Sequence, residues 1–288
     1  MKKVAIQGLE GSYHDIATRE FFKDEEIELI CCNTFNEVFS AIASDSKTIA
    51  LVAIENTIAG SLLHNYELLR DSGTVIVGEQ KLRIAHCVCC LPDEDWQDLK
   101  EVHSHPVALA QCETFLQRHP ELKAVQAEDT ALSAKDIMEK QLHGHAAICS
   151  TRAAKMYGMR ILQENVETNK HNFTRFLVVA DRWRADELKA EGIGQQVNKA
   201  NIVFSLPHQE GSLSQILSIA SISPRYNRYP SLAVNGSICS TLMLLSMTTP
   251  ASAKALMQCV HSLKNSPYWV NTKPSRTIVD HYSSRMIR

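Results

Sequence analysis

Short, near-continuous apolar runs alternate along this chain with segments whose apolar residues recur every three or four positions. That pattern predicts strands alternating with helices. Residues 3–8 (KVAIQG) read as a short buried strand ending in a glycine turn, after which GLEGSY (8–13) opens a helix running to about Phe22. ELICCN is a second strand, and residues 35–43 have helical spacing. IALVAIEN (49–56) carries β-branched residues and suits a strand covered on both faces. This βαβαβ order argues for a doubly wound, mostly parallel sheet.

A second cycle follows. TVIVGEQ leads into RIAHCVCCLP, EVHSH, the helix PVALAQCETFLQRH, strand KAVQA, helix TALSAKDIMEK, strand HAAIC and helix TRAAKMYG. Pro106 suits the first turn of its helix, where its missing N–H costs nothing, and Asp129 or Thr130 can cap the next. NFTRFLVVA (172–180) reads as a further strand. The order implies two α/β lobes over residues 1–180, with a cleft between them where ligands of such folds prefer to bind. Residues 181–197 are charged, lack clear periodicity and read as a linker. A small separate domain is expected over 198–272, opening with strand NIVFSLP, loop HQEG and helix SLSQILSIA. Residues 273–288 read as a tail, with HYSSRMIR disordered.

Composition narrows the class. The 288 residues, 44% hydrophobic and 22% charged, suffice for two or three compact units. A net charge of −2 and a pI near 6.6 give no basic surface for nucleic acid. No run approaches the ~18 apolar residues of a membrane span. MKKVAIQG lacks the longer apolar stretch of a secretory signal, so a cytoplasmic protein is expected. Its nine cysteines should then be free thiols. Cys87, Cys89 and Cys90, beside His86, lack the paired spacing of metal ligands, and a strand sends Cys89 and Cys90 to opposite faces. They read as small buried hydrophobes, and no metal or cofactor is expected.

No dinucleotide fingerprint, phosphate loop, HExxH sequence or nucleophile elbow occurs. Gly8-x-x-Gly11 marks a tight turn. What remains is a set of polar clusters at strand ends. Glu55, Asn56 and Thr57, with the following residues to Ser61, close an apolar strand and form either a cap with a turn or part of an anion-binding cleft. Ser104 and His105 precede the helix at Pro106, where His105 either caps the helix or serves the site. Asn172, Thr174 and Arg175 lie among large apolar residues. An arginine there must meet either an anionic ligand or an internal acidic partner. Together the clusters suggest a cleft for a small anionic molecule.

These clusters line up in order with motifs of the bacterial prephenate dehydratase family. VAIENTIAGSL resembles its IEN-S/T-x-x-G stretch, SHPVALAQC its SHPQALAQC stretch, and DTALSAKDI its DT-A-x-AA stretch. AAICSTRAAKMYGM and NFTRFLVV resemble its later motifs, the second carrying the Thr-Arg-Phe signature, and the match covers roughly residues 3–218. The resemblance implies an α/β, two-lobed catalytic domain like type II periplasmic binding proteins, followed by a small α+β regulatory domain of the ACT type. It implies cofactor-free conversion of prephenate to phenylpyruvate in phenylalanine biosynthesis, with phenylalanine as feedback effector and a dimer or tetramer as the assembly. By the same resemblance Thr174 is the catalytic hydroxyl and Arg175 the carboxylate binder. Glu55, Asn56, Thr57, Ser104, His105, Gln111 and Phe176 line the site, and the Gly211-Ser212-Leu213 turn belongs to the effector site. An arogenate dehydratase, or a non-catalytic amino-acid sensor on the same scaffold, is the alternative. The intact Thr174-Arg175 pair favours catalysis over sensing.

After about residue 219 the resemblance stops, and residues 223–250 lack both expected regulatory motifs and clear strand alternation. For residues 229–234 the codon choice TAT CCA AGC CTT GCC GTT, followed by an A, reads one base on as Ile-Gln-Ala-Leu-Pro-Leu. That is one of the missing motifs. With that choice of codons a frameshift near residue 220 would account for the break, and sequencing the gene in both directions distinguishes it from true divergence.

Overall fold

The computed structural model describes residues 1–23 and 25–194 in full, and beyond them the backbone of four strands at 199–206, 233–235, 241–247 and 278–285. The first lobe begins with β1 (Lys2–Gln7), α1 (Tyr13–Phe22), β2 (Ile27–Cys32), α2 (Phe35–Ser44) and β3 (Ile49–Asn56). It continues with the short β4 (Gly60–Ser61), α3 (Leu63–Asp71) and β5 (Val75–Arg83). The second lobe comprises β6 (Cys87–Cys90), β7 (Glu101–Ser104), α4 (Pro106–Gln111), α5 (Glu113–Arg118) and β8 (Lys123–Gln126). It closes with α6 (Thr130–Lys140), β9 (His145–Cys149), α7 (Thr151–Met156) and β10 (Arg160–Glu164). The chain then returns to the first lobe through β11 (Phe173–Ala180) and α8 (Arg182–Ala190). The four further strands are β12 (Lys199–Leu206), β13 (Ala233–Asn235), β14 (Thr241–Met247) and β15 (Ile278–Arg285).

Both sheets are mixed. In the first, β2, β1 and β3 run parallel, and β11 inserts antiparallel between β3 and β5 because it re-enters from the opposite lobe. In the second, β8, β7 and β9 are parallel, β6 is antiparallel to β9, and β10, antiparallel to β6, runs with the parallel set. The α/β two-lobed architecture expected from the pattern is present, and the antiparallel strands are the price of crossing twice between lobes. The crossing is tied by backbone bonds from Ile84 N–H to Asn172 C=O (2.8 Å) and from Val166 N–H to His86 C=O (2.9 Å).

The apolar runs are buried on both faces, as their composition requires. Leu51 and Ala53 of β3 and Phe176 and Val178 of β11 join one core with Phe21 and Phe22 of α1. Val52, Ile54, Leu177 and Val179 join the other core, beneath Val38 and Phe39 of α2. The same alternation sends Cys87 and Cys89 to one core of the second lobe and Cys90 to the other. Polar side chains start the helices: Ser12, Thr34, Asp129 and Ser150 each accept a backbone N–H of the first turn.

Three local expectations are corrected. The single helix PVALAQCETFLQRH is split at Cys112, because Thr168 N–H bonds the Gln111 carbonyl (2.8 Å) and Thr168 Oγ1 takes the Thr114 N–H (3.1 Å). The charged segment read as a linker holds α8, capped by Asp181, with Ala185 and Leu188 buried. The tail read as disordered contains β15, whose backbone pairs with β12 and continues beside β5; ladder bonds along a sheet edge need no apolar pattern. Gly211, Ser212 and Leu213 lie outside the described residues, as does most of the 198–272 segment. No helix among the described residues is long and apolar enough to cross a membrane.

Gly78 of β5 faces the ring of Phe21, and a Cβ there would stand 2.4 Å from Phe21 Cζ. Gly78→Ala is expected to destabilise the chain by about 1–3 kcal/mol through overpacking, read by urea unfolding. Adding Phe21→Leu should recover part of the loss.

Candidate active site

Between the lobes lies a cleft of about 590 Å³. Its walls are helix beginnings: Ser12, Tyr13 and His14 of α1, Thr34 and Phe35 of α2, His105 and Val107 of α4, and Asp129 and Thr130 of α6. Its floor carries Asn56 from the end of β3 and Thr174 and Phe176 from β11. The α1 end of the cleft is drawn against the second lobe by Ser150 Oγ donating to Gly11 C=O (2.6 Å) and by Arg152 pairing with the buried Asp15 (2.9 Å). Gly11 has φ +84°, and a Cβ on it would meet Ala153 Cα at 2.9 Å, so the close approach requires glycine.

A directed hydrogen-bond chain runs across the floor. Asn56 Oδ1 accepts from the backbone N–H groups of Ile58 (2.9 Å) and Ala59 (2.8 Å), which fixes its amide orientation. Its Nδ2 must therefore donate, and it reaches Asn172 Oδ1 at 2.8 Å and Thr174 Oγ1 at 3.0 Å. Asn172 Nδ2 then donates to Gln111 Oε1 (2.9 Å), which also faces His86 Nε2 at 3.0 Å. With Gln111 offering only an acceptor, His86 carries its proton on Nε2. Burial lowers the His86 pKa, so the ring is neutral and its bare Nδ1 faces the Tyr13 hydroxyl at 2.7 Å, whose proton also reaches the Ala85 carbonyl at 2.8 Å. The chain thus links both lobes, and its polarity from Asn56 to His86 follows from the two amides at Ile58 and Ala59.

The residues singled out by sequence divide into two groups. Asn56, His105, Gln111, Thr174 and Phe176 line the cleft. Glu55, Thr57, Ser104 and Arg175 do not. Ser104 Oγ is buried and donates to Ile148 C=O (2.6 Å), tying β7 to β9. Thr57 Oγ1 donates to His171 C=O and accepts from Phe173 N–H, both at 2.9 Å, stapling β3 to β11. Arg175 follows Thr174 in a strand, so its side chain leaves by the opposite face. There it pairs with Glu79 (2.9 Å) and lies 3.6 Å from Glu55. That is the internal acidic partner left open by the sequence, and it takes Arg175 away from the carboxylate-binding position implied by resemblance. Among the described cleft-lining residues none is lysine or arginine.

Tyr13, His14 and His86 were not singled out by sequence as site residues, and Asn172 was named with its cluster but given no role in the site. Asn172 and Tyr13 stand inside recognisable motifs, whereas nothing local marks His14 or His86. His14 is packed between the rings of Phe176 (centroids 5.0 Å) and Phe35 (5.6 Å), and its Nε2 has no hydrogen-bond partner among the described residues. Burial depresses its pKa from 6.5 to about 4, so it is a neutral donor or acceptor at neutral pH.

The family model for prephenate dehydratase matches residues 4–183. The chain belongs to the prephenate dehydratase family. It is 35% identical over 220 residues to arogenate dehydratase/prephenate dehydratase 2 of Arabidopsis thaliana, covering 75% of this chain and 55% of the relative. It is 30% identical over 261 residues to a bifunctional N-acyl-homoserine lactone acylase/prephenate dehydratase of Komagataeibacter europaeus, covering 90% of each. The fold is that of prephenate dehydratase from Arthrobacter aurescens in complex with L-Phe (TM-score 0.78, 20% identity, 98% of this chain and 90% of that one). The chain spans about half the length of several curated relatives it matches.

The depressed pKa of His14 sets a pH dependence. Its folded-state pKa, about 4, lies below the unfolded value of 6.5, so on acidification the unfolded chain binds the proton first. Stability is unaffected above pH 6.5 and falls as pH drops from there towards 4. Between pH 7 and pH 5 the wild type should lose about 2 kcal/mol more than a His14→Gln variant, compared by urea unfolding at each pH.

Proposed function

We propose that the chain is a carbon–oxygen lyase that converts prephenate to phenylpyruvate, carbon dioxide and water. In that reaction the ring carboxylate leaves as CO2, its bonding electrons enter the ring, and the C4 hydroxyl departs with a proton as water. Aromatisation drives the step, so the protein must orient a dianion and assist the departing hydroxyl.

The observation that carries the proposal is the state of the Thr174 hydroxyl. Its oxygen accepts from Asn56 Nδ2, which leaves its own proton available to the cleft it lines. A threonine is too weak an acid to surrender that proton outright, but a fixed donor stabilises charge developing on a leaving oxygen. The carboxylates are served by backbone instead of arginine. Three helices of ten or eleven residues, α1, α2 and α6, begin at the cleft wall, and their N-termini favour anions. Phe35, Leu62, Ile84 and Phe176 supply apolar surface for the ring.

The reading includes a cytoplasmic, homo-oligomeric enzyme with phenylalanine as effector. Family resemblance supports these points, and the L-Phe bound to the Arthrobacter aurescens relative supports the last. Arogenate, with an amino group in place of the keto group, is the competing substrate, as the double name of the Arabidopsis relative suggests.

Purified protein should release phenylpyruvate from prephenate, followed by its ultraviolet absorbance in alkali, and arogenate should be turned over more slowly. Thr174→Ala should lower kcat by about 10²–10³-fold, the cost of losing one preorganised donor, while Thr174→Ser keeps most of the rate. A folded wild type inert on both substrates would sink the proposal.

A further inference from the structure

On the sheet of the second lobe, away from the cleft, three potential ligands converge. Glu101 and His103 are two residues apart in β7 and so share a face. The parallel register sets Glu101 opposite His145 of β9. His103 Nε2 and His145 Nδ1 are 2.8 Å apart, and Glu101 Oε2 lies 3.3 Å from the first and 3.7 Å from the second. We propose that Glu101, His103 and His145 form a binding site for one divalent transition-metal ion, zinc by its ligand chemistry.

The spacing carries the proposal. Zinc bonded to imidazole nitrogen and carboxylate oxygen at ~2.0–2.1 Å in a tetrahedron separates its ligand atoms by about 3.3–3.4 Å. The three observed edges bracket that length, so an ion fits after side-chain adjustments of a few tenths of an ångström, with no change in the strands. Only one proton can lie between the two facing ring nitrogens, and the ion takes its place. Two imidazoles and a carboxylate suit zinc, cobalt or nickel and fit poorly the all-oxygen preference of calcium and magnesium. Lys123 Nζ holds the other carboxylate oxygen of Glu101 at 2.9 Å. This fixes the orientation of Oε2 towards the histidines, as outer partners of metal ligands commonly do. All three ligands are partly exposed, leaving the fourth position to water. None of them lines the cleft, so the ion acts on structure, clamping β7 to β9.

The test uses the full chain stripped of metal with a chelator and titrated with zinc alone by calorimetry. One equivalent should bind, with a rise in thermal midpoint, and cobalt in its place should show the visible absorption of tetrahedral Co²⁺. His103→Gln and Glu101→Gln should each weaken binding at least tenfold. The glutamine in the second variant keeps the size and shape of the side chain, so it reads the site even if the histidine variant folds poorly. Cys31→Ser and His143→Gln, exposed groups outside the cluster, should leave binding unchanged. Absence of saturable binding at millimolar zinc overturns the proposal. So does binding that persists undiminished in both His103→Gln and Glu101→Gln.

Discussion

The cleft depends on the Asn56 carboxamide. Asn56 sits where β3 ends, and the turn that follows aims two backbone N–H groups at its oxygen. With that oxygen occupied, the amide nitrogen has to donate, and the orientation of Thr174, Asn172, Gln111 and His86 follows in turn. Such a chain is costly to leave half-made, because each buried group loses its water on folding and recovers it only from its neighbour. The chain therefore fixes more than one hydroxyl. Gln111 belongs to the second lobe and Asn56 to the first, so the two walls of the cleft are joined through the atoms that line it.

Electrostatics reinforce this arrangement in an unexpected way. A pocket for a dianion is usually searched for through its arginines and lysines, and the described lining of this one has none. The helix N-termini at its wall are each already organised by a capping side chain, and Glu128 and Asp129 place carboxylates in the same lining. Backbone dipoles are fixed before any ligand arrives, so they lose no side-chain entropy on binding. Neutral His14 and His86 add hydrogen-bonding capacity without a charge that would need burying.

Much of the fold was legible because its strands are buried on both faces and its helices begin with polar caps. Residues 49–56 could hardly be anything but an inner strand, and Asp129 announced the helix that follows it. The elements that escaped lacked those signals. α3 follows Leu62, which offers no side-chain cap, and the split at Cys112 is imposed by Thr168, more than fifty positions away in sequence. The site was legible in the motifs that contain its residues, less so in which of them face the ligand. His14 and His86 carry no local mark, since their roles arise only when two lobes meet.

The Thr174-Arg175-Phe176 run shows why facing matters more than membership of a motif. Strand alternation gives Thr174 and Phe176 to the cleft and Arg175 to the far side, against Glu79 and Glu55. Glu79 is buried, so removing Arg175 would take a close counter-charge from a carboxylate that has little access to water. Arg175 also pairs across to Glu55 on β3, one residue before Asn56. Loss of activity on changing this arginine would therefore not by itself identify a ligand contact. The same loss follows if the ion pair merely holds β11 in register with β3, because that register places Thr174 opposite Asn56. A charge beside a cleft-lining hydroxyl can thus serve the site entirely through the sheet that carries it.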